Sequence, residues 1–225
     1  MITPEFSTPV THLRKAYLSA LCIGDDRQAD RVLENCLAQS VSANQIYLDI
    51  MQPAAYDIGA LWQRNLVTIA QEHLATAIIE RQMGQLHPHF VPRTRKGRTL
   101  VLGCIEGEQH RIGARMVADF FEQDGWTVAY LGASTPIDEI AGIAREVQAD
   151  LIGLSTQLIP HVPRIIELVT VLDRRGMNAI PIIAGGLPFI QQPDLVKTLN
   201  IRFAAPDAAQ AVVQANNLFL GDVGA

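Results

Sequence analysis

Residues 99–121 read TLVLGCIEGEQHRIGARMVADFF, and this stretch decides the fold. Thr99–Ile105 is a short apolar run with the length and composition of a buried strand. A polar loop follows and leads into a helical stretch, roughly Arg111–Gln123. A buried strand, a short loop and a helix in this order are the repeating unit of a parallel α/β sheet.

The same alternation continues towards the end of the chain. Strand-like runs are found at Thr99–Ile105, Thr127–Leu131, Leu151–Ser155, Ile180–Ala184 and Ile201–Ala204. The helical stretches after them are roughly Arg111–Gln123, Ile137–Val147, Pro163–Arg175, Pro193–Leu199 and Ala208–Leu218. This pattern predicts a Rossmann-like (flavodoxin-like) five-stranded parallel sheet covered on both faces. Because ligands of such sheets bind outside the carboxyl ends of the strands, the residues after each strand are the candidate site.

The part of the chain before this sheet is predicted to be helical. Thr11–Cys22 carries an apolar helical face, and a second helix runs to about Ser40. Either Asp25 or Asp26 can cap that second helix. A third helix, Asn44–Trp62, contains Pro53, so we expect a kink or a fresh start there.

A fourth helix has the clearest beginning. Thr68-Ile69-Ala70-Gln71 matches a capping box, with Thr68 as the N-cap. Four helices joined by short loops predict an antiparallel four-helix bundle. The segment HPHFVPRTRKG, rich in proline and basic residues, separates the two patterns. We therefore expect an α/β protein with a helical bundle over residues 1–90 and a Rossmann-like domain over residues 91–225.

Composition and charge limit the classes of partner. A formal net charge of −5 gives no general attraction to nucleic-acid phosphates. The basic run Arg93, Arg95, Lys96 and Arg98 is interpreted as a solvated linker, so we expect no direct binding of nucleic acid. The 3 cysteines lack metal-like spacing and indicate reduced thiols in a cytoplasmic protein. Residues 1–10 do not resemble a signal peptide, and the apolar runs are too short for a membrane span.

The loop after the first strand carries a candidate metal ligand. His110 lies between a strand end and a helix start, at the functional edge of the predicted sheet. Glu108 lies two residues earlier and can accept the other ring N–H, which would make the imidazole a better donor to a metal. Gly113 leaves room for a ligand to approach the backbone closely. A histidine in a surface loop with no function is the alternative for this segment taken alone.

Two further strand ends carry features suited to ligand binding. Ser155 and Thr156 follow the third strand and offer hydroxyl groups. Gly185 and Gly186 follow the fourth strand, where the missing side chains leave space for a flat group, although a turn would also explain them. Three such features at one sheet edge favour a binding site.

These segments together resemble the cobalamin-binding domain family. E-x-H-x-x-G at residues 108–113, L-S-T at 154–156 and G-G-x-P-F at 185–189 are similar to the family pattern D-x-H-x-x-G, S-x-x and G-G. The resemblance implies that His110 is the lower axial ligand of cobalt and that Glu108 is its hydrogen-bond partner. It also implies that Ser155 and Thr156 contact the dimethylbenzimidazole end of the cofactor, and that Gly185 and Gly186 line the channel of its tail.

The sequence departs from the family pattern at one of these positions. Glu108 stands where aspartate is usual, and its extra methylene keeps the charge but moves it.

The helical part resembles the cap of cobalamin-dependent proteins. Pro53-x4-Ile58-Gly59-x2-Trp62 followed by Ala70-Gln71-Glu72-His73 is similar to the cap of methionine synthase and of CarH/AerR-type photoreceptor regulators. Trp62, Glu72 and His73 form a W-x9-E-H pattern, which in CarH-type photoreceptors marks the surface over the upper face of adenosylcobalamin. The resemblance implies a cap in which Trp62 is a flat apolar lid and Glu72 accepts hydrogen bonds from ribose hydroxyls.

His161 follows Ser155 by six positions and could face the cleft for the cofactor tail, but we interpret it as a partly exposed loop histidine.

The resemblance leaves several hypotheses about function. The first is a light-responsive regulator that binds adenosylcobalamin, with methyl- or hydroxocobalamin as alternatives, and signals through a partner protein or through self-association. Residues 1–10 leave no room for a DNA-binding helix-turn-helix, in contrast to CarH. The second is a corrinoid methyl carrier of a methyltransferase system. A small mutase subunit is disfavoured because such subunits are not expected to carry this cap. No catalytic pair appears elsewhere, so we expect no enzyme activity of its own.

Overall fold

A computed structural model of the protein describes residues 8–220. The chain divides into two compact units, Met1–Val91 and Pro92–Ala225. The expectations about a signal peptide and a preceding DNA-binding segment concern mainly residues 1–7, which lie outside the described part. Among the described helices, none is both long enough and apolar enough to cross a membrane.

The first unit is a helical bundle. Its α-helices α1, α2, α3, α4 and α5 are Thr8–Ile23, Asp26–Ala38, Ala43–Gln45, Gln52–Gln63 and Ile69–Leu86. A π-helical turn, Ile46–Met51, joins α3 to α4, and a 3-10 turn, His87–His89, follows α5. Two of the helix starts carry the predicted caps. Asp25, rather than Asp26, accepts the N–H of Gln28 at 2.8 Å, and Thr68 forms the capping box with Gln71.

The predicted third helix changes its hydrogen-bond pattern before its proline. The π-helical turn Ile46–Met51 changes to α-helix at Gln52, and Pro53 occupies the first turn of α4. Proline has no N–H to give to the preceding turn, so a change of hydrogen-bond pattern before it is the expected response. The backbone keeps helical dihedral angles at Met51 and Gln52, so the predicted fresh start is wrong and the structure contains a continuous helix with a π-helical turn.

Polar groups in the bundle core are hydrogen-bonded to one another. The hydroxyl of Tyr17 donates to Oε1 of Gln82 at 2.5 Å, and both side chains are completely buried. The amide of Gln82 in turn donates to Asp30 at 2.8 Å, as does Arg81. This network ties α1, α2 and α5 together in the core, where an unpaired polar group would be costly.

The second unit is a parallel sheet covered by helices. Its strands β1 to β5 are Thr99–Ile105, Thr127–Thr135, Leu151–Ser155, Ile182–Gly185 and Phe203–Ala205. They pair in the order β2-β1-β3-β4-β5, all parallel. Helices α6 to α11 are Ile112–Gln123, Ile137–Glu146, Pro163–Arg174, Leu187–Gln191, Leu195–Thr198 and Ala208–Leu218, and a 3-10 turn, Ile159–His161, precedes α8. This is the flavodoxin-like order with one crossover from β2 past β1 to β3.

Strand β2 and the segment after β4 differ most from the sequence-based prediction. Strand β2 continues beyond Leu131 to Thr135 and stays paired with β1. The pairing shifts its register on both sides of Gly103, which pairs with Gly132. Gly132 has a φ of +77°, so the chain bends there without leaving the sheet. A short helix, α9, directly after Gly186 was also not predicted. Its five residues are too few to give a periodic signal.

The basic run before β1 is paired with acidic side chains. Arg93 and Lys96 contact the carboxylate of Asp124, which follows α6. Arg98 contacts Asp150, and this aspartate also accepts the N–H of Thr99 at 2.7 Å. Most of the basic side chains in this run are therefore ion-paired at the amino-terminal edge of the sheet unit.

Candidate functional site

The candidate site lies at the carboxyl edge of the sheet, where β1, β3 and β4 are neighbours. The chain leaves β1 for β2 on one side and returns to β3 on the other, and in such sheets a ligand crevice forms at this switch point. The predicted residues of the second unit share this edge; they are Glu108, His110 and Gly113 after β1, Ser155 and Thr156 at the end of β3, and Gly185 and Gly186 at the end of β4.

Glu108 and His110 form a hydrogen-bonded pair in the loop between β1 and α6. The Glu108 side chain is completely buried, whereas 49% of the His110 side chain is exposed. The backbone N–H of His110 donates to Oε1 of Glu108 at 3.0 Å, and ring Nδ1 bonds to the same oxygen. The carboxylate therefore favours the tautomer that carries its hydrogen on Nδ1 and its lone pair on Nε2.

The end of β2 supports the loop that carries this pair. The N–H of Ser134 donates to the carbonyl oxygen of Glu108 at 2.8 Å. In return, the hydroxyl of Ser134 accepts the N–H of Gly107 at 3.0 Å. The extension of β2 beyond its predicted end thus holds the backbone on both sides of Glu108.

The second oxygen of Glu108 is bonded to the connection between β3 and α8. The N–H groups of Gln157 and Leu158 donate to Oε2 at 2.7 and 3.2 Å. The hydroxyl of Thr156 lies 3.3 Å from the same oxygen and is completely buried. Ligand contact by Thr156 stays a prediction, and in the structure its hydroxyl bonds to Glu108 and to the carbonyl of Leu158.

His161 is the residue whose position the sequence did not reveal. It ends the 3-10 turn before α8, and 24% of its side chain is exposed. Its ring Nδ1 lies 3.1 Å from Oε2 of Glu108, so two histidines share one carboxylate. The spacing of six residues from Ser155 was visible, but the sequence could not show that the turn points this ring at Glu108.

These hydrogen bonds govern the charge of Glu108. Burial alone would raise the pKa of its carboxyl. The bonds from the ring and backbone of His110, from the backbone of Gln157 and from His161 outweigh burial and hold the pKa far below its usual range. Glu108 is therefore ionised at neutral pH, and its negative charge lies directly behind the His110 ring.

Ser155 approaches the same loop from the end of β3. It is half-buried, and its hydroxyl is hydrogen-bonded to the Cys104 thiol. The sulfur of Cys104 in turn contacts the carbonyl oxygen of His110 at 3.6 Å. Burial, together with the nearby negative charge of Glu108, raises the pKa of Cys104 to about 12. Cys104 is thus a neutral packing group beneath the histidine loop.

The three glycines of the predicted site differ in what a side chain would meet. A Cβ on Gly113 would meet no atom within 4 Å, so the space beside it is open, as close approach of a ligand would need. A Cβ on Gly185 would make an ordinary contact of 3.5 Å with Ala205. A Cβ on Gly186 would lie 1.8 Å from the carbonyl oxygen of Thr156. At Gly186 the glycine is required by the protein's own backbone.

A buried hydroxyl at this edge was also not singled out by the sequence. Oγ1 of Thr135, the last residue of β2, is buried and has no hydrogen-bond partner within residues 8–220. Thr135 pairs with Ile105, the last residue of β1, so it lies beside the start of the Glu108 loop.

The predicted cap residues lie at one end of the helical unit. Trp62 is the penultimate residue of α4, and Glu72 and His73 belong to the first turns of α5, with a short connection between the two helices. Trp62 is 42% exposed, which is unusual for a tryptophan in a helical bundle. The Glu72 carboxylate accepts the Thr76 hydroxyl at 3.0 Å and lies 3.7 Å from the exposed His73 ring.

The donor set after β1 fits a cobalt-containing cofactor. A metal-bound histidine almost always donates its other ring N–H to a carboxylate or carbonyl, which fixes the ring and raises its basicity. His110 and Glu108 have this arrangement, and the ring is half exposed at the edge where ligands of such sheets bind. The residues present therefore suit ligation of a metal through Nε2 of His110.

Comparison with known families identifies the class of protein. The family described as a B12 binding domain matches residues 98–213, which is more than half of the chain. A second family with the same description matches residues 13–87 in the helical unit. The chain belongs to the B12 binding domain family. Its cofactor is therefore a cobalamin or another corrinoid.

The curated relatives are regulators and corrinoid proteins. The HTH-type transcriptional repressor CarA of Myxococcus xanthus is 26% identical over 204 residues, which are 89% of this chain and 67% of CarA. CarH of the same organism is 26% identical over 174 residues, 77% of this chain and 57% of CarH. Dimethylamine corrinoid protein 2 of Methanosarcina acetivorans is 30% identical over 129 residues, 57% of this chain and 59% of that protein. The chain thus spans only part of the length of each.

A solved structure shares the fold. The monomethylamine corrinoid protein of Methanosarcina barkeri superimposes with a TM-score of 0.84, covering 92% of this chain and 99% of that chain at 16% identity. The predicted architecture, a helical amino-terminal part followed by a five-stranded parallel sheet, is confirmed.

Proposed function

We infer that this protein is a cobalamin-dependent regulator that responds to light through the upper ligand of adenosylcobalamin. The observation that carries cofactor binding is the pair of His110 and buried Glu108 at the switch point of the sheet. The relation to CarA over 89% of this chain, which extends across both units, favours a regulator.

The proposal gives the two units different roles. His110 of the sheet unit would hold the cobalt of the cofactor, oriented by Glu108. Trp62, Glu72 and His73 of the helical unit would supply contacts to the adenosyl group. The half-exposed indole of Trp62 supplies a flat apolar surface with one N–H donor, and the Glu72 carboxylate accepts hydrogen bonds from hydroxyl groups.

Binding of the cofactor can produce a signal if the protein contacts the cofactor differently in the two states. Adenosylcobalamin supplies a weak cobalt–carbon bond that is broken by light. A ligand shifts a conformational equilibrium only through contacts that differ between the two states. Because Trp62 and Glu72 would contact the adenosyl group, the helical unit would be the element that responds to its loss. The output then passes through a partner protein or through self-association.

The test compares the protein in darkness and after illumination. Purified protein is mixed with adenosylcobalamin, and its absorption spectrum and gel-filtration volume are recorded before and after green light. We expect a stable dark complex whose spectrum converts and whose size or partner binding changes. If the His110→Ala variant gives the same dark spectrum as the unchanged protein, the ligand assignment is wrong.

The role of the cap is tested separately. Trp62→Ala is expected to weaken binding of adenosylcobalamin about tenfold more than binding of methylcobalamin, which corresponds to about 1.4 kcal/mol of lost contact. Trp62→Phe keeps a flat ring and serves as the conservative control. Leu66→Ala, at an exposed apolar residue in the connection after α4, should leave both affinities unchanged. Equal effects on the two cofactors would contradict the proposed contact.

A corrinoid methyl carrier is the second candidate. The 30% identity to dimethylamine corrinoid protein 2 favours it. A methyl carrier needs His110 in the same way, but it has no need for a preference for the larger upper group. Binding of methylcobalamin without a preference for adenosylcobalamin, and without a light-driven change in assembly, would support this second function.

A further inference from the structure

A buried cysteine near the end of β1 lies between two parts of the candidate site. Cys104 is completely buried and pairs in register with Ser155, the last residue of β3. Because side chains alternate between the two faces along each strand, residues paired in register across a parallel ladder share a face of the sheet. The hydroxyl of Ser155 is hydrogen-bonded to the thiol of Cys104. Cys104 is therefore joined to the end of the neighbouring strand.

The same thiol reaches the loop that carries the predicted metal ligand. Sγ of Cys104 contacts the carbonyl oxygen of His110 at 3.6 Å. The N–H of His110 donates to Glu108 at 3.0 Å, so both polar groups of the His110 main chain have partners. A contact to the carbonyl oxygen fixes the peptide unit of His110 and not its ring. Cys104 thus acts on the position of the histidine backbone, beyond packing beneath the loop.

The two contacts of Cys104 have a fixed direction. A carbonyl oxygen can only accept, so the thiol donates its one hydrogen to His110. Sulfur is then left as an acceptor, and the hydroxyl of Ser155 donates to it. Hydrogen bonds therefore run from Ser155 to Cys104 and from Cys104 to His110. A side chain in the middle position has to be both a donor and an acceptor.

We propose that Cys104 is a positioning residue for the cofactor ligand, whose thiol couples the end of β3 at Ser155 to the backbone of His110. The proposal rests on the proposed function only in assigning His110 as the cobalt ligand. Coupling between two sites is reciprocal, so ligation at His110 affects the Ser155 hydroxyl by the same factor as Ser155 affects ligation. One hydrogen bond of ordinary net strength changes an equilibrium about two- to tenfold, which sets the expected size.

The first test separates hydrogen bonding from packing at position 104. Cys104→Ser keeps a donor and an acceptor, whereas Cys104→Val fills the space with neither. With hydroxocobalamin in darkness, we expect Cys104→Val to raise the dissociation constant about fivefold and to reduce the spectral signature of imidazole ligation. Cys104→Ser should stay within about twofold of the unchanged protein. The matched control is Cys36→Val, at a completely buried cysteine of the helical unit, which should change neither quantity.

A double-mutant cycle tests the coupling to Ser155. Ser155→Ala removes the hydroxyl that donates to the thiol. If Ser155 acts on His110 through Cys104, the effects of Ser155→Ala and Cys104→Val are not additive in free energy. We then expect the double variant to bind hydroxocobalamin at most about twofold more weakly than Ser155→Ala alone. Independent roles would instead add the full fivefold of Cys104→Val, and this result would overturn the coupling.

A third measurement needs no cofactor. The amide of His110 is bonded to Glu108, and its hydrogen exchange reports on the order of the loop. In Cys104→Val we expect this amide to exchange about two- to tenfold faster, and in Cys104→Ser at the rate of the unchanged protein. If the valine variant does not fold, the serine variant still decides, because loss of ligation in a folded Cys104→Ser protein would overturn the proposal.

The outcomes separate this inference from the proposed function. Native ligation in Cys104→Val together with impaired ligation in Cys104→Ser would show that Cys104 only fills space, and would overturn the proposal. Weakened ligation in Cys104→Val, restored in Cys104→Ser, in a protein without any light response would remove the light-sensing function and leave this inference standing. An unchanged spectrum in His110→Ala would overturn both.

Discussion

Gly186→Ala tests how tightly the ends of β3 and β4 are packed. Gly186 has a φ of +115°, and an added Cβ would lie 1.8 Å from the carbonyl oxygen of Thr156 and 2.7 Å from its carbonyl carbon. Both contacts are with backbone, so they cannot be relieved by turning a side chain. The end of β3 would have to move, and the bond from the N–H of Thr156 to the carbonyl of Gly185, now 3.1 Å, would lengthen or break.

The expected loss of stability has three parts. A non-glycine residue held at such a φ costs about 1–3 kcal/mol. Overpacking against a fixed neighbour costs about 1–3 kcal/mol. Weakening one buried backbone hydrogen bond costs about 1 kcal/mol. Since movement of the chain relieves some of each, we expect the free energy of unfolding of the sheet unit to fall by about 3–5 kcal/mol. With a urea m-value of about 2 kcal/mol/M, the midpoint would fall by about 1.5–2.5 M.

The assay separates the sheet unit from the helical unit. The chain has 2 tryptophans, so in a Trp62→Phe background fluorescence reports on Trp126, which is buried in the sheet unit. The matched control is Gly176→Ala, because Gly176 also has a positive φ, +69°, but a Cβ there would meet no atom within 4 Å. That control should lose only about 1–2 kcal/mol. Equal midpoints for the two variants, measured without cofactor, would refute the argument from the Thr156 contact.

Three further predictions concern other parts of the chain. Gly113→Ala should leave the cofactor-free protein equally stable or up to about 1 kcal/mol more stable. The same change should weaken cobalamin binding at least about tenfold. An unchanged dissociation constant would contradict close approach of the cofactor at this glycine. Tyr17→Phe deprives the buried Gln82 oxygen of its donor and should lower the stability of the helical unit by about 1–3 kcal/mol, followed by Trp62 fluorescence; no change would speak against the network. Burial raises the pKa of Cys36 to about 11, so its thiol stays protonated at pH 8. A thiol reagent should therefore label Cys36 only as the helical unit opens. Rapid labelling of Cys36 in the folded protein would contradict this prediction.

Local signals account for what the sequence predicted well. Strands β1 and β3 and helix α11 have the predicted bounds. The two strands are apolar segments bounded by polar residues, and the helix is a periodic segment that begins after an aspartate. The cap at Thr68 was also readable, since an N-cap bonds to groups three residues away. The bounds of β4 and β5 are less accurate by one or two residues, because short strands lie beside turns of similar composition.

The contacts that organise the candidate site were beyond local signals. Glu108 and His110 are neighbours in sequence, so their bond could be expected from the motif. His161 and Glu108 are 53 residues apart, and their bond depends on how the turn after β3 is placed relative to the turn after β1. That placement follows from strand register and from the backbone contact at Gly186, neither of which is encoded in the spacing of a motif.

The glutamate at position 108 is best understood together with the histidine at position 161. Its longer side chain allows Oε1 to bond to His110 while Oε2 bonds to Gln157 at 2.7 Å and to His161 at 3.1 Å. An aspartate would place both oxygens about 1.5 Å nearer to the main chain, one carbon–carbon bond shorter, and the loop after β3 would have to follow to keep these bonds. The extra methylene thus moves the carboxylate towards the loop after β3, where the imidazole of His161 bonds to it. Two features that look unrelated in the sequence form one arrangement around the buried carboxylate.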